Sequence, residues 1–235
     1  MAPKNVAFTS AAGNGTGNIS IVSGSGSPTN VTLDGLSKAD SSAIELVPGP
    51  FKYAADASNF VKTVEVPANV PLAKLSVFSA DESADFDMVV VTPSGQAVVV
   101  ATAAASESVS IPNPAAGTYR MFVNLYDSPN GQATKASVDA AVLGANEGNA
   151  TVTPDPVRLA NGKAGQLALA WKDLAPGSYI GRVTFDGASA PTFVSVVVTP
   201  GGAAAVPPAS EDPKKKKEQG KVVNDDLTRT PDNSI

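Results

Sequence analysis

Apolar side chains recur at every second position in short runs along most of the first 200 residues. Val64 and Val66 alternate with Glu65, and Leu75 and Val77 alternate with Lys74 and Ser76. Phe86, Met88 and Val90 share one face of a run whose other face carries Asp85 and Asp87. Tyr119, Met121, Val123 and Leu125 alternate with Arg120, Phe122 and Asn124. Val138, Ala140 and Val142 form a further run, and Val194, Val196 and Val198 another. A period of two marks strands with one buried face, because successive side chains of a strand point to opposite sides. No segment holds a helical period.

Turn chemistry separates the runs. Pro93-Ser94-Gly95 follows the Val89–Val91 run and should reverse the chain into Val98–Val100. Asn14-Gly15, Asn130-Gly131 and Asn161-Gly162 supply residues that tolerate positive φ. Many strands with closely spaced turns predict an all-β chain of antiparallel sandwiches. One motif repeats. Asn113-Pro-Ala-Ala-Gly117-Thr-Tyr119 leads into a strand, and Asp173-Leu-Ala-Pro-Gly177-Ser-Tyr179 does so again 60 residues later. Pro and Gly fix the turn, and each Tyr enters the sandwich edge with its hydroxyl on a backbone partner.

The repeat predicts two β-sandwich domains in tandem, 1–145 and 146–200, with Leu169 and Trp171 anchoring the second core. Residues 13–27 are rich in Gly, Ser and Asn and surround a short strand candidate, Ile19–Val22. Beyond Pro200 the composition turns linker-like and then charged, so 201–235 reads as a disordered tail.

Composition narrows the chemistry. The chain has no His and no Cys. A Ser-His-Asp triad, a Cys-His pair, a Cys/His zinc site and a disulfide framework are therefore excluded. With 20 Gly and 19 Pro, it has enough turn formers for many short strands. Residues 1–200 carry 11 basic and 16 acidic side chains, and the tail carries six of each. The run Lys214–Lys217 is flanked by Glu211, Asp212 and Glu218, so it reads as a solvated tail and not as a nucleic-acid surface. The apolar stretch 97–105 is too short for a membrane span. The start, Met1-Ala-Pro-Lys4, lacks the apolar core of a signal peptide.

Without His, chemistry would fall to carboxylates, lysines or tyrosines. The densest acidic cluster is Asp81, Glu82, Asp85 and Asp87. Neighbours on one strand face do not build a glycosidase cleft. Calcium is the ligand such a cluster suits, although the spacing is not that of an EF-hand. Otherwise the cluster is a solvated face. Ser-x-x-Lys matches are expected by chance in so serine-rich a chain, and none opens a helix. Gly13–Gly17 lacks the Lys and the following helix of a phosphate loop. Aromatic candidates for stacking on polymers or sugars are Phe122 and Tyr126, on one strand face, and Phe51 and Tyr53. The alternative is that these rings belong to the sandwich layers.

The runs Leu72–Asp81 and Ala84–Gly95, with Asp85-Phe-Asp87 and then Pro93-Ser-Gly95, together with Ile111–Tyr126, resemble the bacterial pre-peptidase C-terminal domain. The segment from Gly148 through Trp171 to Phe185 resembles a small fibronectin type III-like domain. In this order they resemble the non-catalytic C-terminal region of actinobacterial subtilisin-like serine proteases, most clearly over 60–200. The resemblance implies an extracellular accessory region that acts in substrate attachment, stabilisation or maturation. Its implied partners are a protease catalytic domain and an insoluble protein or polysaccharide. It implies no catalytic residue or cofactor in this chain. A stand-alone structural or adhesive protein is the alternative. The segment 146–200 is short for a complete fibronectin type III unit, so it needs the first domain to complete its core.

Overall fold

A computed structural model describes residues 2–144, 147–188 and 190–199. The predicted tail and the run Lys214–Lys217 lie outside the described residues. The strands are β1 (Asn5–Ser10), β2 (Gly15–Val22), β3 (Val31–Lys38), β4 (Asp40–Leu46), β5 (Asn59–Val66), β6 (Leu72–Phe78), β7 (Asp85–Val91) and β8 (Ala97–Val100). They continue with β9 (Ser106–Pro112), β10 (Gly117–Asp127), β11 (Thr134–Val142), β12 (Ala150–Thr153), β13 (Ala164–Trp171), β14 (Gly177–Phe185) and β15 (Thr192–Val198). The only helical turn among the described residues is a single 3-10 turn at Pro129–Gly131. No helix among them is long and apolar enough to cross a membrane.

The central part of the chain forms one sandwich. Its sheets run β4-β11-β6-β9 and β5-β10-β7-β8. The alternating residues meet between them: Leu75, Val77 and Val138 from one sheet, Phe86, Met88, Met121 and Leu125 from the other. Each such side chain, fully buried, contributes about 1.5–3 kcal/mol. The β7–β8 hairpin closes as its sequence predicts, with Gly95 at φ 83° and its amide on the Thr92 carbonyl at 2.9 Å.

The second sandwich departs from the tandem division. Its sheets are β1-β15-β14-β3 and β12-β13-β2. Three strands from before residue 39 pair with strands from after residue 149, so the boundary at 145 does not separate two domains. The first sandwich is instead inserted within the second. The reason is core volume. Residues 147–199 supply four strands, and Leu169 and Trp171 need Ile19, Ile21, Leu33 and Leu36 against them. One pair, β1 with β15, is parallel. That pairing is open to strands far apart in sequence, because no hairpin joins them.

The Gly-rich stretch is not all loop. Gly15 stands directly opposite Trp171 in the ladder. A Cβ at Gly15 would lie 2.5 Å from the Trp171 ring, and one at Gly17 would lie 2.3 Å from the Phe8 ring. These glycines extend β2 because aromatic rings cover their faces.

The repeated motif has one geometry in both sandwiches. Asn113 and Asp173 take φ 46° and 56°, and Gly117 and Gly177 take φ 132° and 143°. The Tyr119 hydroxyl donates to the Ala115 carbonyl at 3.1 Å, and the Tyr179 hydroxyl donates to the Ala175 carbonyl at 2.8 Å. Each tyrosine lies near the start of a strand paired on both sides, β10 in one sandwich and β14 in the other. Burial raises the Tyr179 phenol above its ordinary pKa, against the opposing effect of this hydrogen bond.

The sandwiches meet over a small apolar patch of Ala39, Leu72, Ala141, Leu143 and Ile180, with Phe193 against it. Beside this patch the Leu143 amide extends the β11–β6 ladder to the Leu72 carbonyl, and the Ala39 amide extends the β3–β14 ladder to the Ser178 carbonyl, at 2.9 and 2.8 Å. Across the junction, the Ser178 hydroxyl of β14 donates to Asp139 of β11 at 2.6 Å.

Candidate functional site

The aromatic candidates sort into two groups. Phe122 lies on the outer face of its sheet, between Val61 of β5 and Val89 of β7. It is only 1% exposed, because the loop 47–58 folds over it. Tyr53 of that loop packs edge-on against Phe122 at 5.1 Å, and Phe51 packs edge-on against Tyr53 at 4.9 Å. The Arg120 guanidinium lies 4.8 Å from the Phe122 ring centre, a cation–π distance. Tyr53 itself is 58% exposed and presents its ring to solvent. Phe122 is thus the base of the aromatic surface and Tyr53 its exposed part. Tyr126 sits where the β10–β7 register shifts, 62% exposed, and no ring contact joins it to this group among the described residues.

The loop is held rigidly for its length. Asn124 is fully buried and donates to the carbonyls of Gly49 and Ser58, both at 3.0 Å. The Gly49 amide returns a bond to the Leu125 carbonyl at 3.1 Å. Asn59 donates to the Pro50 carbonyl and to Asp56, and accepts from the Lys52 amide at 2.9 Å. Lys52 pairs with Asp56 at 2.6 Å, and this bond holds the Asp56 carboxyl well below the usual carboxylate range. A ring fixed in this way loses little conformational entropy when a ligand stacks on it.

The acidic candidates stand apart in pairs. Asp81 accepts from the amide and hydroxyl of Ser83, which lowers its pKa, and Glu82 is exposed beside it. Asp85 stands opposite Asp127 and Asp87 opposite Asn124 on the outer sheet face. Burial raises both carboxyls. Asp127 and Glu107 add to the shift at Asp85, and Asp85 and Glu107 add to it at Asp87. One Asp85 carboxylate oxygen is buried without a hydrogen-bond partner. No group of three or more such ligands converges to hold a metal ion among the described residues. The calcium candidates are therefore brought together only as mutually repelling neighbours.

One pairing has no signal in the sequence. The Lys74 ammonium of β6 donates to the Ser195 hydroxyl of β15 at 3.0 Å, across the junction of the sandwiches. Burial lowers the Lys74 pKa, with Asp139 acting in the opposite direction. A lysine beside a serine is the element of a His-free nucleophile. However, Ser195 lies mid-strand in β15, which is hydrogen-bonded to β1 on one side and β14 on the other. Its neighbouring amides are committed to those ladders and are not turned towards a developing oxyanion.

No family model and no curated protein matches the chain. Eight chains among the solved structures match. One is the crystal structure of the Bacillus licheniformis lipase BlEst2 in its propeptide form, at a TM-score of 0.32 and 13% identity. The alignment covers 69% of this chain and 41% of that one, so the chain spans less than half of that structure.

Proposed function

We propose that the chain is a non-catalytic accessory region of a secreted subtilisin-like serine protease, and that it attaches the parent enzyme to an insoluble polymeric substrate. The observation that carries this reading is the Tyr53 ring, exposed and fixed edge-on over buried Phe122. An exposed aromatic ring held on a loop over the outer sheet face suits stacking against a polymer, which offers repeated apolar surfaces and no deep projection to enclose. The Arg120 guanidinium beside it adds a hydrogen-bond donor at the same surface. The protease as parent rests on the resemblance of residues 60–200. The reading requires no cofactor.

Retention on insoluble collagen, keratin, casein and chitin tests the attachment. The chain is expected to remain on at least one of these, and Tyr53→Ala is expected to lower retention at least about fivefold. Because Tyr53 is largely exposed, this substitution leaves the fold intact. Absence of retention on every polymer, or retention unaffected by Tyr53→Ala, overturns the role given to this surface. The reading frame upstream of Met1 tests the parentage. A subtilisin-like catalytic domain is expected there, and an independent signal peptide in its place overturns the protease as parent and favours a stand-alone adhesive protein.

A further inference from the structure

The outer sheet face that carries Tyr53 continues to an open strand edge. In the sheet β5-β10-β7-β8, β8 is terminal and pairs only with β7. The register sets Phe122 opposite Val89 and Val89 opposite Val99, so Val99 shares the outer face with Phe122, two strands away. Val98 and Val100 pack inward against the core. Val99 is 64% exposed, the most of any large apolar side chain among the described residues. At the turn the Thr92 amide donates to the Gln96 carbonyl at 2.8 Å. Bonded pairs then recur at every second residue, at Val90–Val98 and Met88–Val100. The amides and carbonyls of Ala97 and Val99 therefore point away from β7, to the side where no strand follows.

Open edges are commonly protected by charge, proline or a bulge, because an unpaired ladder recruits another strand. The other three edges of this sandwich carry such protection: Asp40 and Glu45 in β4, Lys62 and Glu65 in β5, Glu107 and Pro112 in β9. β8 carries none, and no charged residue occurs from Met88 to Ser106. The groups left open are N–H and C=O in alternation, which a polypeptide strand matches and a sugar chain does not. The edge is also complementary to itself. When two β8 strands pair antiparallel about Val99, this residue faces the partner's Val99 and Ala97 faces the partner's Ala101, with no like charges opposed. The second sandwich leaves this approach open, since it joins the opposite sheet through Lys74–Ser195 and Asp139–Ser178.

We propose that β8 is a homotypic interface: a second copy of this chain adds its β8 antiparallel, and the two four-stranded sheets join as one continuous sheet. The two-fold axis stands normal to that sheet, so both outer faces look the same way. The two Tyr53 rings then share one surface, with the Phe122 positions beneath them about 24 Å apart, five strand spacings. Two rings on one face engage a polymer with the gain of linked contacts. That consequence rests on the role given to Tyr53, and the dimer itself does not.

Sedimentation velocity of the full chain from about 5 µM to about 1 mM, without polymer, tests the interface. A ladder this short is a small interface, so a reversible dimer is expected, half-formed at about 0.1–0.5 mM. Ala97→Pro removes an outward amide and no bond to β7, and Val99→Lys sets two like charges face to face. Each is expected to weaken the dimer at least about tenfold. Both are expected to keep the circular dichroism spectrum of the parent chain, because Val98 and Val100 still hold β8 on β7. A chain that stays monomeric up to about 1 mM, a dimer unmoved by both substitutions, or assemblies that grow beyond two copies overturn the proposal. The soluble peptide acetyl-Thr-Val-Thr-Val-Thr amide probes the other occupant. Its uptake by a monomeric chain, lost in Ala97→Pro, overturns the second copy and assigns the edge to a foreign strand. The concentration series on the unsubstituted chain decides the matter even if a variant fails to fold. Because no polymer is present, a failure of polymer attachment leaves this test unaffected.

Discussion

At the residue scale, the acidic strand β7 carries the most informative departure from expectation. Asp85 and Asp87 alternate with core residues, and this predicts two solvated carboxylates. The fold instead places them half-buried, near Glu107 and Asp127, with one Asp85 oxygen unpartnered. A carboxyl with a raised folded-state pKa holds its proton more tightly folded than unfolded. Its destabilising charge is therefore absent below about pH 3.8, the unfolded value, and appears as pH rises through the raised one. Asp85→Asn is expected to raise the melting temperature at pH 7 by about 2 °C, because it removes a partly desolvated charge together with its solvent-screened repulsion from Asp127 and Glu107, roughly 0.5 kcal/mol in all. The gain should vanish near pH 3 and shrink in high salt. Thermal scans at the two pH values check this. A lower melting temperature for the variant at pH 7 would mean that Asp85 meets a stabilising partner, such as a bound cation.

At the element scale, the sequence makes legible what is local. Alternation identifies the strands because the pleat itself has a period of two. The Pro-Gly-Tyr motifs are legible because positive φ at 117 and 177 favours Gly, and a buried tyrosine needs a hydroxyl partner. The partnership of β1–β3 with β12–β15 leaves no such trace, since ladder bonds between residues more than a hundred apart impose no local pattern. Glycines at 15 and 17 read as loop because the rings that cover them, Trp171 and Phe8, are set by the fold. The sequence leaves Phe122 open between a stacking surface and a sandwich layer, because its cover is an irregular loop whose anchoring by Asn59 and Asn124 has no periodic signal. The insertion has a direct consequence for fragments. Residues 40–143 hold a complete core and are expected to fold alone, with a cooperative thermal transition. Residues 147–199 lack the strands that contribute Ile19, Ile21, Leu33 and Leu36, and are expected to show no cooperative transition. Circular dichroism melts of the two fragments compare them, and cooperative melting of 147–199 alone would restore the tandem division.

At the scale of the whole molecule, the chain crosses between the sandwiches twice, once on either side of the inserted one. The two bodies are thus tied at both ends of the insertion, and the junction patch determines whether they melt together. Leu143 is the member of that patch best placed to couple them. It is fully buried, lies beside the second crossing, and would stand 3.0 Å from a Cβ at Gly35 of β3. Its amide bonds to the Leu72 carbonyl of the first sandwich, so side chain and backbone reach both bodies. Leu143→Ala leaves every ladder in place and opens a cavity at the junction, at a cost of about 2–5 kcal/mol. Neither main core is touched, so the loss falls on coupling and less on the stability of either sandwich. Differential scanning calorimetry is expected to show one transition for the parent chain and two for Leu143→Ala. The later transition should coincide with the melt of fragment 40–143 if the inserted sandwich is the more stable body. A single transition in the variant, displaced to lower temperature, would show that the hydrogen bonds and the double crossing hold the sandwiches together without the apolar patch.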